Sequence, residues 1–277
     1  ADRKPRAKLA THEVTNQPPP WEDLNLYEAD AILKGACAWS GAGVHDERLA
    51  AFGARVGSAD AQAWGAQANR NPPTFKPFDR WGRRLDEVEF HPAYHELMAH
   101  SAHAGVHHST WNAAGRPAGG ASEVVRAARF YMASQVETGH LCPVTMTRAS
   151  VAALAEQPEL LARVMPVLGT RSYDPAFAPW WTKRGMTLGM GMTEKQGGTD
   201  VRANTTRAAA LSASGPGQLY ALTGHKWFMS APMSDAFVML AQAPGGLSCF
   251  LVPRWRADET VNALRLMRLK DKLGNRS

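Results

Sequence analysis

Met190-Gly191-Met192-Thr193-Glu194-Lys195-Gln196-Gly197-Gly198-Thr199-Asp200, entered from the β-like run that starts at Met186, decides how this chain is read. It is a strand running into a loop. Two adjacent glycines let backbone amides approach an anion closely, and two threonine hydroxyls flank them as donors or acceptors. Such a loop suits a pyrophosphate or the edge of a ring, although taken alone an ordinary glycine turn would look the same. About 25 residues on comes Thr223-Gly224-His225-Lys226-Trp227-Phe228-Met229-Ser230, a glycine turn leading into a strand-like run with adjacent aromatics and a terminal hydroxyl. Its rings offer a flat apolar wall for a ring system, or equally a piece of core.

Outward from these segments the grammar is that of short strands. Met186 to Met192, Asn204 to Leu211, Gln218 to Thr223, Lys226 to Ser230, Ala236 to Ala241, Leu247 to Pro253 and Ala263 to Leu269 are rich in β-formers. Loop signals such as Ser212 to Gly217 and Pro244-Gly245-Gly246 separate them. Five to seven strands in about ninety residues predict a small antiparallel barrel or sandwich over residues 186–277.

Before residue 186 the pattern is helical. An Ala-rich helix is expected from Arg48 to Ala68, and another begins at Pro92, which suits a first turn. Ser122-Glu123 opens a helix with Val125, Ala128, Met132 and Val136 on one stripe, closed by Gly139 and stopped by Pro143. Ser150 to Glu156 and Pro158 to Leu168 read as two shorter helices. Residues 41–185 therefore form a helical domain, preceded by an extended, proline-punctuated segment over 1–40. The fold class expected is α+β: an N-terminal α-helical domain, then a small β-domain.

Composition narrows the function. The chain has 277 residues, 44% of them hydrophobic and 20% charged, which excludes a mainly disordered polymer. No apolar run approaches the roughly 18 to 20 residues of a bilayer span, so a soluble protein without a membrane partner is expected. The basic N-terminus lacks the apolar core of a secretory signal. Cys37, Cys142 and Cys249 are few and far apart, which suggests neither a disulfide framework nor a zinc site and makes a reducing cytoplasm the default.

The formal charge of +6 sits at the ends. The first eight residues carry Arg3, Lys4, Arg6 and Lys8 against Asp2, and Arg254 to Ser277 holds seven basic and three acidic residues. Solvated surface is the preferred reading of both runs over a phosphate-binding one. His91 with His95, and His103 with His107, have helical four-residue spacing, but no HExxH carboxylate accompanies them, and no metal is assigned. GxSxG, Walker A and GxGxxG signatures are absent, which removes the common hydrolase, P-loop and Rossmann readings.

Together and in this order, the two opening segments resemble the acyl-CoA dehydrogenase family, whose middle β-domain carries an MTE…GSD flavin loop and then a GxKxxIT strand. Here the loop reads Met192-Thr193-Glu194 with Gly198-Thr199-Asp200, and the strand reads Gly224-His225-Lys226 followed by Phe228-Met229-Ser230. Lys272-Leu273-Gly274-Asn275-Arg276-Ser277 is similar to the family's KLGxRxS stretch. The wording from Gly189 to Gly198 resembles the AidB (adaptive response) branch more closely. So do Asn16-Gln17-Pro18, Leu26-Tyr27, Asn71-Pro72-Pro73, Arg83-Arg84-Leu85-Asp86 and Leu141 to Thr147, so that the likeness covers nearly all of residues 12–277.

The resemblance implies FAD as cofactor, with Met190, Gly191, Met192, Thr193, Gly197, Gly198 and Thr199 lining the flavin and its pyrophosphate, and Phe228, Met229 and Ser230 facing the ring. Thr199 stands for the commoner Ser, Phe228 for Trp and Ser230 for Thr, which keeps both hydroxyls and the aromatic wall. It also implies abstraction of an acyl α-proton by a carboxylate, with hydride transfer to the flavin. The family's base lies in a C-terminal helical bundle beyond Ser277, so no catalytic residue is assigned, and Glu194 is a motif position rather than the base. The branch is associated with double-stranded DNA binding, mainly through that bundle, with the alkylation response, with weak acyl-CoA dehydrogenase activity and with a homotetramer. Two alternatives stay open: an ordinary short- or branched-chain enzyme acting on acyl-CoA thioesters, and a non-catalytic fragment or binding module.

Overall fold

A computed structural model describes residues 11, 12 and 14–277; the basic run from Arg3 to Lys8 lies outside them. The first part is helical: α1 (Ala31–Trp39), α2 (Asp46–Val56), α3 (Ala59–Arg70), α4 (Pro92–His103), α5 (Ser122–Ser134), α6 (Leu141–Leu154) and α7 (Pro158–Leu168), with a hairpin of β1 (Thr74–Phe78) and β2 (Arg84–Glu89) inserted after α3. The second part carries β3 (Leu188–Gly191), β4 (Arg207–Ala210), β5 (Tyr220–Thr223), β6 (Ala236–Ala243) and β7 (Gly246–Pro253). The α+β division expected from the sequence is present.

Local chemistry sets the boundaries, and several differ from the sequence reading. The stretch to residue 40 is not extended throughout: Asp30 accepts a hydrogen bond from the Leu33 amide at 2.8 Å and so caps α1. The single helix expected over Arg48 to Ala68 is two, because Ser58 caps a new helix by accepting from the Ala61 amide at 3.2 Å. At the break, Gly57 lies against the Leu24 carbonyl, where a Cβ would approach the oxygen to 1.7 Å. Ser150 to Glu156 is largely the end of α6 rather than a separate helix, and Pro143 sits in that helix's first turn, where its missing amide costs little. The β1/β2 hairpin was not foreseen.

Two apolar cores result. Leu26, Tyr27, Leu49, Phe52, Met98, Val106 and Met132 belong to the first, inside the helices. Val151, Leu154, Leu161, Val164 and Leu168 of α6 and α7 meet Met186, Leu188 and Ala236 in the second, which seats the sheet on the helices.

Central in that sheet is β6, buried from Ala236 to Met239. It pairs antiparallel with β7 along its whole length, from Ala236 opposite Pro253 to Ala243 opposite Gly246. Its other edge is shared by two strands laid end to end: β3 runs parallel to Ala236 to Met239, and β4 meets Gln242, also parallel, then pairs antiparallel with β5. An all-antiparallel sheet was expected; the parallel pairings arise because the long excursion between β3 and β6 returns the chain in its original direction. Neither Lys226 to Ser230 nor Ala263 to Leu269 forms a strand.

From Trp255 onward the chain is a strap that recrosses the molecule. Leu266 is held at both backbone groups, its amide donating to Asp86 (3.1 Å) and its carbonyl accepting from Arg84 (2.7 Å). The Arg276 amide then donates to Asn69 at 2.8 Å, and Ser277 donates to buried Glu137 between α5 and α6. Glu137 also accepts from the amide and Nδ1 of His140, both at 2.8 Å. No described helix is long and apolar enough to cross a membrane.

Candidate functional site

Beyond Gly191 the backbone leaves the sheet, and the two sequence segments meet there. The Trp227 amide donates to the Thr193 carbonyl at 2.9 Å, and the Ser230 amide donates to the Met190 carbonyl at 2.9 Å. Residues Met190 to Thr193 and Trp227 to Ser230 therefore lie side by side, although the second is not a regular strand. Met192, Thr193, Met229 and Ser230 are half-buried, Gly191 is buried, and Gly197, Gly198 and Thr199 are exposed. Trp227 and Phe228 are 42% and 45% exposed, with ring centroids 6.3 Å apart. These rings are not core.

Glu194 holds the arrangement together. Fully buried, its carboxylate accepts from Gln196 Nε2 (2.7 Å), from the amides of Thr205 (2.7 Å) and Thr206 (2.9 Å), from the hydroxyls of Thr205 (2.9 Å) and Thr206 (2.5 Å), and from Lys226 Nζ (3.1 Å). Burial alone would raise its pKa. The hydrogen bonds, led by those from Thr206 and Thr205, outweigh burial and hold the carboxylate well below its usual range. A carboxylate so occupied serves as a structural anchor for the loop.

The loop turns tightly around this anchor. The Gly197 amide donates to the Glu194 carbonyl at 3.1 Å, and Gly197 has φ +149°, where L side chains rarely sit. Gly198 packs on Thr193, since a Cβ there would stand 2.8 Å from Thr193 Oγ1. The other side of the motif is fixed by Asn204, whose side-chain Nδ2 donates to the Met192 carbonyl at 2.8 Å, and by His225 Nε2, which accepts from the Lys195 backbone amide at 3.0 Å.

All ten residues singled out from the sequence thus fall on two adjoining segments and the turn that follows the first. Sequence reasoning missed the supports: Thr205, Thr206, Asn204 and Lys226 as partners of the loop. An adjacent hydroxyl pair ahead of a strand was the available signal, but nothing local says which carboxylate it serves. It also took Arg265, Arg268, Lys270 and Lys272 for solvated strand residues. None lies on a strand; Arg268 and Lys270 are exposed but stand over Trp227 and Phe228, and Lys272 donates to the Ser277 carbonyl.

His91 and His95 have separate partners. His91 caps α4 by accepting from the Ala93 amide, and His95 meets Tyr173 Oη at 2.8 Å. His107 is buried and pushed down to about 3, first by burial and then by neighbouring His108. No cluster of three His, Cys, Asp or Glu side chains suited to a metal occurs among the described residues.

A helical part followed by a small sheet that presents a glycine loop beside an aromatic segment is the arrangement of an acyl-CoA dehydrogenase-type protein. Family models agree: "Adaptive response protein AidB N-terminal domain" matches residues 16–175 and "Acyl-CoA dehydrogenase, middle domain" matches 189–277. The chain belongs to the acyl-CoA dehydrogenase family, in its AidB branch. It is 48% identical over 269 residues to AidB of Escherichia coli (strain K12), covering 96% of this chain and 48% of that protein. Acyl-CoA dehydrogenase family member 11 of Caenorhabditis elegans is 29% identical, over 82% of this chain and 37% of its own length.

Among solved structures, Bd2924 in its apo form superposes with a TM-score of 0.80 at 29% identity, covering 95% of this chain and 52% of its own. ACDH-11 of Caenorhabditis elegans, solved in complex with C11-CoA, gives 0.77 at 25% identity, covering 97% and 46%. The chain spans about half the length of the relatives it matches, or less.

Proposed function

We propose that this chain is the helical and flavin-binding portion of an AidB-type flavoprotein, divided into an entry segment (1–40), a helical domain (41–185) and a flavin-binding β-domain (186–277). FAD is the cofactor. Met190, Gly191, Met192, Thr193, Gly197, Gly198 and Thr199 hold it from the loop, and Phe228, Met229 and Ser230 from the aromatic segment. The observation that carries this reading is the pair of backbone hydrogen bonds joining Met190 and Thr193 to Ser230 and Trp227. They set a half-exposed aromatic wall beside a loop whose open side, at Gly197, has no atom within 4 Å of where a Cβ would stand. A planar ring and its phosphates fit such a surface.

When bound, the flavin supplies hydride acceptance. The chain's own residues orient the ring, present backbone amides and wall off one side. Glu194 does none of the proton transfer, because both its oxygens are engaged. Acyl-CoA thioesters are the substrate class, supported by membership of the family and by the relative solved with C11-CoA. Membership of the adaptive-response branch supports a role in a stress response; we extend the proposal to the response to DNA alkylation, with double-stranded DNA as a partner, in a cytoplasmic homotetramer. No described side chain is assigned as the proton-abstracting base.

The test is direct: titrate the chain with FAD and follow quenching of flavin fluorescence, together with retention of the flavin absorbance bands on gel filtration. Saturable quenching that shifts to higher FAD concentration in Phe228→Ala and in Thr199→Ala is expected. A chain that leaves FAD fluorescence unchanged would sink the proposal.

A further inference from the structure

Three cations converge on the exposed aromatic pair. Lys195 Nζ lies 5.5 Å from the Trp227 ring centroid, the Arg268 guanidinium 5.2 Å from the same ring, and Lys270 Nζ 5.0 Å from Phe228. They come from two directions. Lys195 follows the anchor Glu194 in the glycine loop. Arg268 and Lys270 come from the strap, where the two-residue period of extended chain sends both to one side and the two hydrogen bonds made by the Leu266 backbone fix the register.

All three are exposed, and none forms an ion pair among the described residues. The nearby Glu194 offers no compensation, since Lys226 already neutralises it. Unpaired cations beside exposed rings are weakly held: a cation over a solvated ring gains little, whereas the same cation on a phosphate gains a charge-assisted hydrogen bond, bidentate in the case of arginine.

We propose that Lys195, Arg268 and Lys270 form a recognition site for a phosphate joined to a planar ring: the cations move onto the phosphate, and the faces of Trp227 and Phe228 that they vacate stack the ring. The inference rests on the flavin reading above and deepens it. It makes the phosphates, rather than the isoalloxazine alone, the selected part of the ligand. The pyrophosphate can be that of FAD or that of a coenzyme A thioester, which share the same adenosine diphosphate chemistry.

The experiment compares riboflavin, FAD and coenzyme A on the wild-type chain and on R268Q/K270Q, K195Q and R268K, by tryptophan and flavin fluorescence at low and high salt. Wild type should bind FAD at least about tenfold more tightly than riboflavin, with the preference shrinking at high salt. In R268Q/K270Q the preference should collapse towards unity while riboflavin affinity holds. K195Q should show part of that loss, and R268K should keep more of the preference than R268Q/K270Q but less than wild type, because the charge stays while the bidentate contact is lost. Unchanged thermal midpoints establish that these exposed substitutions leave the fold intact.

If coenzyme A, and not FAD, loses affinity in R268Q/K270Q, the site stands with the thioester as its source. If riboflavin binds as well as FAD and no variant changes the ratio, the phosphate assignment is overturned while flavin binding survives. If neither flavin binds and coenzyme A binds independently of the three cations, both fail. Displacement of bound FAD by duplex DNA through the same three side chains would assign them to a nucleic-acid backbone and overturn the small-ligand site.

Discussion

The helical part and the loop that leaves β3 hold their shapes by opposite means. In the helices, Leu49, Val106 and Met132 are fully buried in a continuous apolar core, and position follows from packing. Between Gly191 and Ala236 no described residue belongs to either buried apolar core. The chain is pinned instead by one buried carboxylate with six donors, and its large rings face outward. Packing tolerates small volume errors by shifting, whereas a buried charge tolerates no lost partner. The candidate site is built on the second kind of support, which frees its aromatic surface for a ligand.

Breaking the polar anchor should have the largest effect. Glu194→Ala leaves Lys226 buried without its counter-charge and strips the Thr205 and Thr206 donors of their acceptor, a loss of about 3–5 kcal/mol. Urea unfolding should show it, and FAD quenching should vanish with it. A variant within 1 kcal/mol of wild type would mean that the loop is held by something else. In the helical core, Met132→Ala should cost about 3 kcal/mol by opening a cavity, yet leave the FAD titration of the folded fraction unchanged. Loss of flavin binding there would erase the distinction between the two regions.

The acid limb of stability sharpens the comparison, because the helical part has one carboxylate of the same kind. Burial would raise Glu137, but hydrogen bonds from His140 and Ser277 dominate and bring it down to about 2. A carboxylate depressed on folding stabilises fully above its unfolded pKa, and that contribution disappears as the pH falls from about 4.5 through about 2, at most about 3 kcal/mol. Glu194 acts in the same direction. Glu137→Gln should flatten the fall of unfolding free energy between pH 5 and pH 3 relative to wild type. An unchanged slope would show that Glu137 is not the group titrating. At the loop, Gly198→Ala should cost about 1 kcal/mol, since the new methyl meets the Thr193 hydroxyl at 2.8 Å, and should weaken FAD more than it weakens the fold.

How much of this could be read from residues alone follows the same divide. Helices α4, α5 and α7 and the hairpin of β6 and β7 were legible, because periodicity, Pro92, Pro158 and the Pro244-Gly245-Gly246 turn are local signals, whereas only the end of α6 was read, as a separate helix from Ser150, because Pro143 was taken for a stop. The motif segments were legible as a loop and an aromatic run. The β1 and β2 hairpin was hidden behind Pro72-Pro73 and by Pro77 within β1 itself. Lys226 to Ser230 looked like a strand, but it spends its backbone on two bonds to the loop rather than on a ladder. The anchor was not legible, because Glu194 meets Lys226 across 32 residues, nor was the strap, where Ser277 meets Glu137 across 140. Charge partners carry no period.

The smallest effect on the fold should come from the residue with the most direct claim on the ligand. Phe228 is nearly half exposed and belongs to neither core, so Phe228→Ala should change stability by less than about 0.5 kcal/mol, as surface substitutions do. The ring nevertheless offers a flat face beside Met190 to Thr193, and removing an aromatic stacking partner costs about 0.5–1.5 kcal/mol beyond lost area. FAD affinity should therefore fall by up to about tenfold while the unfolding curve stays in place. Phe228→Trp, which restores the face, should recover it. Were Phe228→Ala to lower stability by several kcal/mol instead, the ring would be part of a core after all. The contrast between a packed scaffold and a charge-pinned, outward-facing site would then have to be drawn elsewhere in the molecule.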